Sequence, residues 1–222
     1  MQTRTYLRRR GRITSGQARA LASDGERLVR DATSAQSLSD WFGRTAPLGV
    51  EIGFGMGEAL LHWAQTHQHW NLLGIDVYQP GVGALLLGAQ RAELHNLRVL
   101  SMDANQAVAE CFAPGTVQEV RIFFPDPWPK KRHHKRRLIQ PEFVTALGEC
   151  LAHDGRLLIA TDWEPYAEAI RSVLDHAPGF RNLYPEQSSA PRPPGRPVTR
   201  FEAKGTRRGH RVWDFAYAAL PG

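Results

Sequence analysis

Cysteine is almost missing from this chain: two residues, Cys111 and Cys150, among 222. Neither forms a CxxC pair and neither has a histidine at ligand spacing, which leaves no basis for a disulfide framework or a structural zinc site; both thiols are expected as reduced core residues. His62, His67 and His69 lie close together but lack carboxylates at matching offsets, so no metal site is expected there either. Long hydrophobic runs are also missing. Runs such as 84–87 and 157–160 fall far short of the ~20 residues that cross a bilayer. The opening MQTRTYLRRRGRITSGQ carries charge with no apolar stretch behind it, unlike a secretory signal. These absences predict a cytoplasmic protein that does not contact membranes. Internal repeats and low-complexity tracts are absent too.

What is there is enough for one full-sized domain, since 42% of the 222 residues are hydrophobic. Lys and Arg outnumber Asp and Glu by 28 to 22, a formal charge of +6, and this balance favours an anionic partner such as nucleic acid. Residues 1–20 hold six Arg and few large apolar side chains. They are expected to form a basic arm that orders on a polyanion, with residues 21–222 as a single domain. The chain is expected to act as a monomer or weak homodimer.

Hydrophobic patterning predicts strands at 48–53, 72–77, 97–102, 120–124 and 156–160, alternating with helices around 59–64, 85–94, 107–111, 141–151 and 165–176. Such alternation implies an α/β fold, because each parallel crossover needs a helix to return the chain. Two further strands, 180–184 and 212–220, can pair antiparallel. The expected architecture is a Rossmann-like, mostly parallel seven-stranded sheet with helices on both faces and an antiparallel C-terminal strand pair. Between the last two strands runs the loop 188–210, with four prolines and five arginines. A loop of that length is either functional or disordered, and the sequence leaves both open.

Ligands of open α/β sheets bind beyond the carboxyl ends of the strands, near the switch in strand order. The first such end reads Glu51-Ile-Gly53-Phe-Gly55-Met-Gly57. Its GxGxG spacing differs from the GxGxxG dinucleotide fingerprint, and a carboxylate beside it would repel a pyrophosphate. It suits a cationic ligand, and S-adenosylmethionine carries an ammonium and a sulfonium. Asp76 ends the second strand, where an acid can accept both ribose hydroxyl protons; Asp103, after the third, can accept from the adenine amino group. Each acid alone is equally a helix N-cap.

The fourth strand leads into Phe124-Pro125-Asp126-Pro127-Trp128-Pro129 and then the basic run 130–137. Prolines on both sides of Asp126 predict a stiff, extended turn. Trp128 either stacks an unpaired base or caps the core. The basic run is either a solvated face or a phosphate-binding one, and its place beside a candidate site favours phosphate. Asp162 follows the fifth strand.

The segments VEIGFGMGEALLHWA, LLGIDVY, FFPDPWPKKRHHKRRLIQPEFV, ATDWEPYAEAI and PVTRFEAKG, in this order, resemble the bacterial tRNA (guanine-N(7)-)-methyltransferase family over nearly the whole chain. The resemblance implies a class I methyltransferase fold, S-adenosylmethionine as donor, and methylation of a guanine in the variable loop of tRNA. It places Glu51, Gly53, Gly55, Gly57, Asp76, Asp103 and Asp126 at cofactor-binding positions, with Asp126 also at the catalytic one. Lys130, Asp162, Thr199, Arg200, Phe201 and Glu202 fall at substrate-binding positions. Two departures stand out: Asp76 where Glu is more common, and Pro129 where some members carry His. The second means that position 129 supplies no proton-transfer group. Whether Asp126 or Asp162 faces the target base stays open. The rival readings are a nicotinamide-dependent oxidoreductase, a non-catalytic RNA-binding protein, and a methyltransferase acting on ribosomal RNA or protein.

Overall fold

The computed structural model describes residues 11–24, 27–29, 38–193, 195–198, 202–203, 209 and 211–220. Its spine is a sheet of strands β1 (Leu28–Val29), β2 (Leu48–Ile52), β3 (Asn71–Ile75), β4 (Leu97–Leu100), β5 (Val117–Phe123), β6 (Leu151–Thr161), β7 (Phe180–Asn182) and β8 (Trp213–Ala219). The order across the sheet is β1-β4-β3-β2-β5-β6-β8-β7. Every pair is parallel except β6 with β8 and β8 with β7. All seven expected strands are present, and the two-residue edge strand β1 makes an eighth. It was invisible to sequence patterning because two residues carry no period.

β2, β3 and β4 are buried at every position, as expected for parallel strands covered on both faces. Adjacent residues feed opposite cores: Leu72 packs into one apolar cluster and Leu73 into the other, and Val99 and Leu100 divide in the same way. One cluster includes residues of α1 (Ser15–Ser23), α3 (Glu58–Thr66) and α4 (Gln79–Arg91). The other includes Phe42 of α2 (Leu38–Phe42) and residues of α5 (Ala104–Cys111), α6 (Pro141–Cys150) and α7 (Glu164–Asp175). Proline occupies the first turn of α4, α6 and α7, where its missing N–H costs nothing.

Residue 20, the expected end of the arm, falls inside α1. Thr14 and Gln17 close a capping box, with Thr14 N donating to Gln17 Oε1 at 2.8 Å and Gln17 N to Thr14 Oγ1 at 3.3 Å. Ala20 is buried. Residues 1–10 lie outside the described residues. β6 starts at Leu151, earlier than the expected 156, because the polar His153-Asp154-Gly155 bend hides its first half; Asp154 takes a positive φ of 57°.

The chain leaves β2 toward β3 and β4, then returns to the other side of β2 as β5. The switch in strand order therefore falls between the carboxyl ends of β2 and β5, the place where open α/β sheets bind ligands.

Candidate active site

Glu51 is the penultimate residue of β2 and 3% exposed. Its Oε2 has no hydrogen-bond partner among the described residues. Burial pushes its carboxyl up to about 7, against the pull of the Arg121 guanidinium and with a further push from Asp76. Arg121 is its register partner on β5, but that cation is already shared. Arg121 Nε donates to Glu119 Oε1 at 2.7 Å, and its guanidinium lies 3.5 Å from the centroid of the Trp63 ring. Glu51 is thus a buried acceptor only partly compensated by protein, and burying it costs stability unless a donor or cation arrives.

Beside it the chain turns through Gly53, Gly55 and Gly57, all with positive φ (74°, 59° and 82°). A side chain at Gly53 or Gly55 would meet nothing within 4 Å, so the turn offers open space to a ligand. Asp76, after β3, accepts from Gly55 N with Oδ2 and from Tyr78 N with Oδ1, both at 2.9 Å. It therefore pins the Gly-rich turn to the neighbouring strand. Asp103 accepts from Asn105 N at 2.9 Å and caps α5. Capping and ligand binding are compatible, since each carboxylate oxygen has two lone pairs. The open turn and the unpartnered Glu51 oxygen fit the cationic amino-acid end of S-adenosylmethionine, with Asp76 and Asp103 at the next two strand ends.

At the end of β5 the backbone departs from the expected extended turn. Phe124 and Trp128 take positive φ, 54° and 44°, a region that bulky residues avoid and that carries roughly 1–3 kcal/mol of strain each. Each precedes a proline, and together they bracket half-buried Asp126. Arg137 holds the turn from below: its Nε donates to Pro127 O at 3.0 Å, and its guanidinium lies 4.8 Å from the Tyr166 ring centroid. Burial pushes the Tyr166 phenol up to about 12, and Asp126 is among the charges acting on it.

Trp128 is not available to stack a base. It is 5% exposed, with the Arg136 guanidinium 4.9 Å above its ring and His133 edge-on at 5.8 Å. The exposed aromatic at this edge is Trp163, 39% exposed, next to half-buried Asp162 at the end of β6. The basic run is also mixed: Arg137 is buried, whereas Lys130, Lys131, Arg132 and Lys135 face solvent, the middle of the run forming a 3₁₀ segment, Lys131–Arg136.

The structure brings Glu51, the three glycines, Asp76, Asp103, Asp126 and Asp162 to the carboxyl ends of β2 to β6. Thr199, Arg200 and Phe201 lie outside the described residues. Glu202 is 4% exposed and salt-bridged to Arg192 and Arg196, so it does not present a free carboxylate to solvent. Sequence reading missed Arg121, Arg137 and Arg196. For Arg121 there was a signal, since Glu119 and Arg121 are charges two apart in a strand otherwise apolar but for Gln118. Among the described residues no group of three metal-ligating side chains forms, and no helix is long and apolar enough to cross a membrane.

Comparison with known proteins agrees with this arrangement. Residues 45–215 match a family model described as "Putative methyltransferase". Among solved structures, the 16S rRNA methyltransferase KamB superposes with a TM-score of 0.58 at 16% identity, covering 84% of this chain and 95% of that one. A 16S rRNA (adenine(1408)-N(1))-methyltransferase from Catenulisporales acidiphilia gives 0.52 at 14% identity, covering 81% and 88%. These likenesses establish the methyltransferase fold. The curated relatives are far nearer in sequence. The tRNA (guanine-N(7)-)-methyltransferase of Halorhodospira halophila is 46% identical over 222 residues, covering 99% of this chain and 96% of the relative. That of Chromohalobacter salexigens is 46% identical over 220 residues, covering 98% and 89%, and that of Pseudoalteromonas atlantica is 44% identical over 214 residues, covering 96% and 90%. With this identity running from end to end, the chain belongs to the tRNA (guanine-N(7)-)-methyltransferase family.

Proposed function

We propose that the protein methylates nitrogen 7 of a guanine in the variable loop of tRNA, with S-adenosylmethionine as donor. Beyond family membership, one observation carries this reading: a row of acids at the carboxyl ends of consecutive strands, headed by a buried Glu51 whose Oε2 has no partner. When bound, S-adenosylmethionine supplies an electrophilic methyl group on a sulfonium.

Glu51 accepts from the donor's ammonium, the glycine turn lets the ligand lie against the backbone, Asp76 takes the ribose hydroxyls and Asp103 the adenine amino group. The chain's remaining task is to place guanine in line and stabilise the charge that moves onto it. Nitrogen 7 has a free in-plane lone pair, so the chain needs no general base, and Pro129 in place of a histidine is no handicap. Asp126, on its rigid turn, accepts from the N–H edge of guanine, whose donors strengthen as the purine becomes cationic. Asp162 and the segment 199–202 hold the target nucleotide, and exposed Trp163 offers the stacking face that buried Trp128 cannot.

Lys130, Lys131, Arg132 and Lys135 meet backbone phosphate. A monomer or weak homodimer is the assembly we propose. A tRNA substrate and the want of any membrane-crossing helix among the described residues support a cytoplasmic location.

The test is incubation with methyl-labelled S-adenosylmethionine and unmodified tRNA transcripts, followed by mapping through chemical cleavage at N(7)-methylated guanine. Label at a variable-loop guanine is expected. Label on another RNA, or on protein only, would move the substrate and leave the donor site standing.

A further inference from the structure

Behind the strained turn at the end of β5 lies a cluster of four charged side chains. Arg196 has a side chain 1% exposed. Its Nη1 donates to Glu202 Oε2 at 3.0 Å and its Nη2 to Asp214 Oδ2 at 3.1 Å. Its guanidinium carbon stands 5.4 Å from the Phe123 ring centroid and 5.6 Å from that of Phe124. Arg192 forks onto the same carboxylate, at 2.6 Å to Oε1 and 3.1 Å to Oε2, and its Nε donates to the Arg196 carbonyl at 3.1 Å. One buried guanidinium therefore joins three parts of the fold: the 188–210 loop through Glu202, β8 through Asp214, and the end of β5 through the two phenylalanines.

Stability alone is a poor reason for this arrangement. Ion pairs taken out of water are often no more stabilising than apolar side chains of the same volume. This one is also incompletely satisfied, because Arg196 Nε and Asp214 Oδ1 have no hydrogen-bond partner among the described residues. What a planar two-pronged cation does supply is register, since its fork fixes the two carboxylates relative to each other. The register in question is that of Glu202 against the turn that carries Asp126, two residues beyond Phe124.

We propose that Arg196 is a positioning residue for methyl transfer: by binding Glu202 and Asp214 while lying against Phe123 and Phe124, it holds Glu202 in register with the turn that carries Asp126. This rests on the reading that Asp126 and segment 199–202 meet the substrate. Glu202 then serves the substrate through its place in the clasp.

The test uses the full chain with Arg196→Gln and Arg196→Lys, measuring steady-state methyl transfer to a tRNA transcript, S-adenosylmethionine Kd by calorimetry, and thermal unfolding. Misplacement of a site element by about 1 Å costs on the order of 100-fold. Arg196→Gln is therefore expected to lower kcat/KM for tRNA by about that factor while the donor Kd stays within about twofold. Arg196→Lys keeps the charge without the fork and is expected to recover only part of the loss. A folded Arg196→Gln whose kcat/KM for tRNA stays within about threefold of wild type overturns the proposal, as does a donor affinity that falls in parallel. Should Arg196→Gln not fold, Arg192→Gln removes the outer fork alone. It is expected to lower kcat/KM for tRNA by about tenfold with donor Kd unchanged, and an unchanged kcat/KM is the contrary result. Asp126→Ala and Thr199→Ala run in parallel separate two failures. Full activity in both sinks the underlying site reading, whereas their loss beside a fully active Arg196→Gln sinks the positioning role alone.

Discussion

The two halves of the site are held by different forces. On the side proposed for the donor, at β2 to β4, position is set by backbone: glycine turns, the Asp76 carboxylate accepting from Gly55 and Tyr78 N–H groups, and Asp103 capping α5. On the acceptor side, at β5, β6 and the 188–210 loop, position is set by buried guanidinium groups, with Arg137 under the Asp126 turn and Arg196 across the loop. A small donor of fixed shape suits a rigid backbone cradle. A base drawn from a large, folded RNA suits a surface assembled from side chains that can be released and remade.

This division is open to attack at several points, beginning with the acceptor side. Asp126→Ala is expected to lower turnover by roughly 10²–10³-fold, the range seen when one preorganised group is removed from a charge-developing site. Affinity for tRNA should change little, as filter binding beside single-turnover kinetics would show; equal losses in both would remove the transition-state role.

The donor side breaks differently. A Cβ at Gly81 would stand 1.9 Å from the Gly55 carbonyl oxygen, backbone that cannot swing aside as a flexible side chain would. Gly81→Ala should cost about 1–3 kcal/mol in urea unfolding and weaken donor binding, while leaving tRNA affinity intact. Unchanged donor binding would mean that the turn does not shape that pocket.

The third attack is on stability. Glu51 keeps its proton in the folded protein up to about 7, whereas the unfolded chain releases it near 4.5. Folded protein binds more protons across that window, so the contribution of Glu51 to stability is highest below pH 4.5, falls as pH rises to about 7, and is flat above. The shift corresponds to roughly 3 kcal/mol. Ligand-free Glu51→Gln should lack this decline, as urea unfolding at pH 5 and pH 8 would reveal, and a wild-type curve parallel to that of the variant would contradict it.

The smallest effect is expected at the rim. Neutralising exposed Lys131 should reduce the salt slope of tRNA binding by about one, uniformly across tRNA species, with no change in donor affinity. An unchanged slope would take that lysine off the phosphate path.

The same division explains what could be read from sequence. β2 to β4 were legible because parallel strands buried on both faces read as largely apolar segments, broken only by Glu51, Asn71 and Arg98, and the acids at or just after their ends stand out against them. Helix α1 went unread although Thr14 and Gln17 spell a capping box, because six arginines in twenty residues suggested an arm. Trp128 stayed open between stacking and burial, since the groups that cover it, Arg136 and His133, belong to a run that looks solvated. The left-handed Phe124 and Trp128 were unreadable in principle: a proline restricts its predecessor but does not announce that tertiary contacts will force it to positive φ. Arg196 was hidden for a related reason, because its partners Glu202 and Asp214 are set by the fold and not by spacing.

The most direct test of the account is titration of S-adenosylmethionine into wild-type and Glu51→Gln protein at pH 6 and pH 8, in two buffers of different ionisation enthalpy. If Glu51 anchors the donor's cationic end, wild type binds more tightly at pH 8, releases protons on binding at pH 6, and loses on the order of 10-fold to 100-fold in affinity on substitution. Equal affinity in the two proteins, with no proton released, would contradict it.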